Sequence, residues 1–229
     1  MDAVRVALLR EVLAGTEWLP HTRRFAGALR ASVAPHGGGL LLVGTEAYEP
    51  WHLAAHLDDE AAWSGRPELA PTLVRHRVPA GAPPRLSVGL GRIEAAGRAE
   101  TLLVVAPEEP CAGLLQRVHD ARRAGATVFA LDGGAPGPEP PPGARLPDGT
   151  DRSGPAADAA TRPRGTGELL GIAHEALSAD AYGVDLDTVQ HLVSAAAGEN
   201  GPSTPGTRRL RDRLARLADR LTAPPPARW

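Results

Sequence analysis

The chain has 229 residues, 42% of them hydrophobic and 3% aromatic, enough to bury one good core, and with ~150 residues per domain as a soft prior it reads as one embellished domain. A formal charge of −2 excludes a global attraction for nucleic acid or an anionic membrane. The single cysteine excludes an internal disulfide and makes the cytoplasm the default compartment. No apolar run nears the ~20 residues of a membrane span, and the N-terminus lacks a signal-peptide pattern. Every basic residue is arginine, and Ala, Gly and Pro abound, as GC-rich coding produces.

In the first thirty residues Val4, Leu8, Val12, Phe25 and Leu29 hold helical positions around an interruption from Gly15 to Pro20, giving two short helices or one broken helix. His36 to Gly39 turns into Leu40–Val43, a short continuous apolar run of the kind found in a strand buried on both faces. Gly44 to Glu49 is a loop, and Pro50 opens a helix over WHLAAHLDDEAAW from a favourable proline position. Leu73 to Val78 reads as a third strand, Pro79 to Pro84 as a loop, and Leu86 to Arg98 as a glycine-broken segment.

The stretch from Glu100 to Gly134 is a complete strand–loop–helix–strand unit. Leu102 to Val105 is a buried strand bounded by Pro107 and Pro110, and Cys111 to Ala124 is a helix with Leu114, Leu115, Val118 and Ala121 on one face. Gly125 stops that helix before a second strand, Thr127 to Leu131. Buried strands joined by a helix run parallel with a right-handed crossover, which puts helices on both faces of the sheet. Residues 133–167 are dominated by Pro, Gly, Ala and small polar groups and read as a disordered surface insertion within a domain spanning 1–198. Loop closure costs only ~0.6 kcal/mol per doubling of length, so a domain tolerates such an insert. Glu168 to His174 is a helix leading into a short edge near Ala176 to Ser178, and Leu186 to Ala197 is a further helix. Residues 199–206 form a linker. In 207–229 Leu210, Leu214, Leu217 and Leu221 make one stripe flanked by arginines, either a docked amphipathic helix or a dimerising one.

Three segments, GLLLVGTEAYEPWHLAAHL, the Glu100–Gly134 unit, and ELLGIAHEAL followed by DTVQHLVSAAAGE, resemble the SIS (sugar isomerase) domain family, most closely its phosphoheptose isomerase branch. The resemblance covers most of residues 30–198. It implies an α/β fold, a three-layer doubly wound five-stranded parallel sheet with flanking terminal helices, a homodimer, and a small sugar-derived ligand bound near the subunit interface.

In such folds ligands sit at the carboxyl edge of the sheet. The candidate ligand-binding residues are therefore Gly44, Thr45, Glu46, Tyr48 and Trp51 in the first loop and Ala106, Glu108, Glu109 and Cys111 in the second. The family places hydroxyls and free backbone N–H groups in the second loop, where a helix N-terminus stabilises a phosphate dianion. This chain has Ala106-Pro107-Glu108-Glu109-Pro110 instead. Two prolines remove donors, and each carboxylate repels an anion by ~1 kcal/mol or more at short range. The ordinary phosphate site is expected to be absent or much weakened, although two solvated acids beside a helix N-terminus would look the same in sequence. Cys111 is expected to be structural, since no base stands beside it.

His52, His56 and Glu60 recur at i, i+4 and i+8, a spacing that brings side chains together on one helix face. In the resembled branch a histidine and, four residues on, a glutamate bind metal on the matching helix. His52 matches that histidine and His56 replaces the glutamate, while Gln190 matches a metal-site glutamine. A divalent metal such as zinc at His52, His56 and Gln190 is the cofactor expectation, against a bland reading of two surface histidines. The position that would complete the set with a histidine is Gly198. His191 lies about 100° around the helix from Gln190.

The reading that follows is a SIS-like domain binding a carbohydrate derivative or other small ligand without standard isomerase chemistry, because no acid–base pair can be assigned. Two alternatives stay open. One is a metal-dependent phosphosugar isomerase of the phosphoheptose type, with His52 or Glu49 as base; the other is a non-enzymatic dimeric scaffold. Neither nucleic acid nor membrane is expected as a partner.

Overall fold

A computed structural model describes residues 11, 13, 15–33, 38–83, 86–133, 166–179 and 184–199. Residues 200–206 of the predicted linker, the terminal 207–229 helix, Val4, Leu8 and Val12 lie outside these residues, as does the proposed insertion apart from its ends, whereas Glu199, the linker's expected first residue, is helical.

The elements, in chain order, are α1 (Trp18–Val33), β1 (Leu40–Val43), α2 (Trp51–Ser64), a 3-10 turn (Pro67–Leu69), β2 (Pro71–Val74), α3 (Gly91–Glu94), β3 (Thr101–Ala106), α4 (Ala112–Arg123), β4 (Thr127–Asp132), α5 (Thr166–Ile172), β5 (Glu175–Ser178) and α6 (Leu186–Glu199). All five strands are parallel, in the order β2-β1-β3-β4-β5. The molecule is thus a three-layer α/β structure. Strand residues alternate between the two faces. Leu40, Leu42, Leu103, Val105, Phe129 and Leu131 pack under α1, α2 and α6. Leu41, Val43, Leu102, Val104, Val128 and Ala130 pack under α3, α4 and α5. On the first face Phe25 of α1 meets Phe129 edge-to-face, with ring centroids 5.3 Å apart.

The continuous apolar runs become strands because both faces of the sheet are covered. β2 differs from its expected span: it begins at Pro71 and ends at Val74 rather than running from Leu73 to Val78. It is an edge strand paired only with β1, whose four residues register Leu40 with Pro71 and Val43 with Val74, so the ladder ends where β1 ends. Arg75 then forms an isolated bridge to Gly89. The helix expected from Glu168 begins at Thr166. Pro20 sits inside the first turn of α1 rather than before it, where its missing N–H costs nothing.

The strand order fixes where a ligand can enter. From β1 the chain crosses to β2 on one side, and from β3 onward it proceeds to the other. Such a reversal leaves a crevice outside the carboxyl ends of β1 and β3. None of the described helices is long and apolar enough to cross a membrane.

Candidate functional site: a switch-point crevice and a histidine cluster

Two loops face each other across the crevice, residues 44–50 after β1 and residues 107–111 after β3. Gly44 is required at the head of the first loop: a Cβ there would lie 1.8 Å from the Tyr48 carbonyl oxygen and 2.7 Å from Pro50 Cδ. The loop therefore folds back tightly on itself and starts α2 at Trp51. Thr45, 2% exposed, donates its hydroxyl across the crevice to Glu108 Oε1. Ala106 is buried at the end of β3, Glu108 and Glu109 are exposed, and the exposed Cys111 is the N-cap of α4 with no side-chain cap bond.

The three residues following β2 clamp the first loop from its other side. The Arg75 guanidinium holds the Glu49 carboxylate through Nε at 3.1 Å and Nη2 at 3.0 Å. Glu49 in turn accepts a hydrogen bond from Trp51 Nε1 at 2.7 Å, and the Arg75 guanidinium lies 4.9 Å from the Trp51 ring centre. His76 Nε2 donates to the Gly44 carbonyl at 3.0 Å. Arg77 pairs with Glu46 at 2.8 Å, a contact exposed enough to contribute little stability. Trp51 is fixed by these contacts and still 41% exposed. Glu49, a candidate base in sequence, has both carboxylate oxygens engaged by Arg75 and Trp51, so its role here is to position them.

Behind the first loop lies a histidine cluster between α2 and α6, helices that pack closely along their lengths. His52, His56 and His191 bring ligating nitrogens within 4.8 Å of one another. His52 Nε2 and His56 Nε2 are 2.9 Å apart, and the ring centres of the three residues are 4.4–4.8 Å apart. His52 is exposed, whereas His56 and His191 are 7% and 4% exposed. Burial, with the neighbouring His191 and His52 adding to it, lowers the His56 pKa from 6.5 to about 4, so this imidazole is neutral at pH 7. Its Nδ1 is buried with no hydrogen-bond partner among the described residues.

Gln190 stands one residue away and does something else. Its Nε2 donates to Tyr48 Oη at 3.0 Å and to the Leu186 carbonyl at 3.3 Å, tying α6 to the first loop. Burial raises the Tyr48 pKa, so Tyr48 keeps its phenolic proton at neutral pH. The structure thus joins His52 and His56 with His191 and gives Gln190 to Tyr48. The rotation between Gln190 and His191 along α6 is real, but every residue from Thr188 to Ala197 is buried. A helix covered on all sides presents a neighbour at any azimuth. The nearest sequence signal for His191 was an ionisable residue next to the apolar run that fills the middle of the helix.

At Gly198, where the resembled branch would place a histidine, a carboxylate fills the space. A Cβ at Gly198 would lie 1.6 Å from Glu60 Oε2, and Glu60 is 6% exposed. Glu60, two turns along from His52, thus places its Oε2 against the end of α6.

The donor set suits a borderline cation. Neutral imidazoles are good ligands for zinc, and tetrahedral ligand nitrogens at ~2.0 Å from a metal stand about 3.3 Å apart, inside the range the cluster spans. Three protein ligands would leave a further position open.

No family model matches the chain, and no curated protein matches it. Solved structures do resemble it. The sugar isomerase domain of an RpiR transcription factor from Sphaerobacter thermophilus is 14% identical with a TM-score of 0.47, over 94% of this chain and 99% of that one. A protein named as sugar binding from Salmonella typhimurium LT2 is 14% identical at TM-score 0.44, over 93% of this chain and 51% of its own. One named as a phosphosugar isomerase from Silicibacter pomeroyi DSS-3 is 15% identical at TM-score 0.44, over 94% and 54%. The chain thus spans about half the length of the last two. At these identities and scores, the likenesses carry no activity, substrate or partner across to this protein.

Proposed function

We propose that the protein is a SIS-like domain that binds a carbohydrate derivative at the carboxyl edge of the sheet, where the segments following β1, β2 and β3 meet. The observation that carries this reading is the arrangement around Trp51. An indole held on one side by Arg75, oriented by Glu49 and left 41% exposed is a rigid apolar platform beside hydrogen-bonding groups. A sugar ring offers the complement, one face of C–H groups and a rim of hydroxyls, and sites of this kind combine aromatic walls with a few placed polar groups. The motif resemblance in the three segments supports the same class of ligand. Standard isomerase chemistry is not part of the proposal, since Glu49 is fully engaged by Arg75 and Trp51.

The test is a thermal-shift panel of sugars, amino sugars and sugar phosphates on the wild-type chain and on Trp51→Ala. A ligand at a hundredfold its dissociation constant stabilises by about 2.7 kcal/mol. The expected outcome is a shift with at least one sugar that Trp51→Ala reduces by ten-fold in affinity. No shift with any of the panel refutes the reading.

A second reading is favoured by the histidine cluster: a divalent metal such as zinc bound by His52, His56 and His191. The converging nitrogens, and a neutral, buried His56 whose Nδ1 has no partner among the described residues, support it. A zinc ion here would supply Lewis-acid polarisation or an activated water to a ligand in reach of its open position. Elemental analysis of the purified protein, before and after chelation and for His52→Ala, tests it; substoichiometric metal in the wild type after incubation with zinc refutes it.

A further inference from the structure

The charge arrangement around the crevice is lopsided. Arg75 is matched by Glu49 and Arg77 by Glu46, so both cations beside the first loop are neutralised. Across from them, Glu108 and Glu109 form no ion pair among the described residues. The nearest buried hydroxyl, that of Thr45, has one proton to give and gives it to Glu108. Pro107 and Pro110 bring no N–H to the second loop, and the Gly44 carbonyl is taken by His76. The place where a ligand's anionic group would find donors therefore already holds a carboxylate belonging to the protein.

We infer that Glu108 sets the charge of the ligand: it stands in for an anionic substituent, so the crevice selects a neutral or amine-bearing sugar and rejects one with a phosphoryl group at this end. One Glu108 oxygen accepts from Thr45, and a carboxylate retains further acceptor sites. Those sites suit the hydroxyl or ammonium donors of such a ligand and oppose a dianion. The identity of the ligand as a sugar rests on the proposed function; the exclusion of anions by Glu108 does not.

The experiment compares the full wild-type chain with Glu108→Gln and Glu109→Gln by calorimetric titration, using inorganic phosphate, glucose, glucosamine and glucose 6-phosphate as probes. Glutamine at 108 keeps the length and an oxygen that accepts from Thr45 while removing the charge. Because Glu108 is exposed, the variant is expected to fold, which its thermal unfolding checks. Phosphate and glucose 6-phosphate should bind Glu108→Gln about five- to ten-fold more tightly than wild type, as expected from removing a like charge at short range. Glucosamine should bind the variant less tightly than wild type. Glu109→Gln, an equal change in net charge, should move the phosphate affinity by less than half as much, separating the position from bulk charge. Phosphate affinities of wild type and Glu108→Gln within two-fold of each other, or no detectable phosphate binding by either, overturn the assignment whatever the sugars do. If phosphate binding rises in Glu108→Gln while no sugar binds any form, the role of Glu108 stands and the sugar reading falls.

Discussion

Acid should destabilise this protein through His56 in a window that the structure defines. His56 has an ordinary pKa of 6.5 when unfolded and about 4 when folded, because burial and the facing His191 and His52 disfavour its cationic form. A histidine with a depressed folded pKa binds its proton more readily in the unfolded chain. Its contribution is therefore complete above pH 6.5 and is lost as pH falls toward the folded value of about 4. At roughly 1.4 kcal/mol per pH unit, the interval sets a ceiling of about 3 kcal/mol, with about 1 kcal/mol gone by pH 5.5 and about 2–3 kcal/mol by pH 4.5. The assay is urea unfolding of chelator-treated protein at pH 7.5, 5.5 and 4.5, for wild type and His56→Gln. Carboxylates such as Asp58, whose pKa burial raises, titrate in both proteins, so the difference between the two slopes isolates the imidazole. The wild type should lose about 2–3 kcal/mol more than His56→Gln between the extremes. Parallel pH profiles would show that His56 is not buried as a neutral base, and the electrostatic account of the cluster would fail with it.

Other consequences can be checked by stability measurements. Gly44→Ala should destabilise by about 3 kcal/mol or more, beyond the usual overpacking cost, because the clash is with backbone at Tyr48 and not with a movable side chain; a loss below about 1 kcal/mol in denaturant titration would contradict the close approach. Phe129→Ala should cost about 3–5 kcal/mol, and a double-mutant cycle with Phe25→Ala should return a coupling of about 0.5–1.5 kcal/mol from their edge-to-face contact. Arg75→Ala should free the Trp51 ring, seen as a change in its fluorescence anisotropy and a loss of sugar affinity comparable to that of Trp51→Ala. An unchanged affinity would mean that the platform does not need its clamp.

Strands buried on both faces were the most legible part of the sequence. Leu40–Val43, Leu102–Val105 and Thr127–Leu131 announce themselves as apolar runs because both faces of β1, β3 and β4 are covered, with polar residues only at strand ends such as Thr101 and Asp132. The edge strands were less legible for a physical reason. β2 takes its limits from the four residues of β1 rather than from its own apolar content, and β5 mixes exposed Ala176 with buried Leu177. At the site, both crevice loops could be located from strand–loop–helix order alone. The bond between Thr45 and Glu108 could not, since it joins residues 63 positions apart. His191 was lost for a related reason: its place beside His52 and His56 depends on how α6 lies against α2, and residue spacing within one helix contains no information about the packing of two.

The contact between Glu60 and Gly198 makes the two positions conditional on each other in any mutational path. With the carboxylate in place, a side chain at 198 meets an occupied volume. A scan of position 198 alone would report the cost of moving the Glu60 carboxylate together with that of the substitution itself. The same scan in a Glu60→Ala background samples a different landscape, in which alanine gains the helix propensity that glycine lacks and larger residues find room. The order of changes then matters: shortening residue 60 opens position 198, whereas changing 198 first requires the Glu60 side chain to move. With Glu60 present, a side chain at the end of α6 therefore comes together with a displaced Glu60 carboxylate.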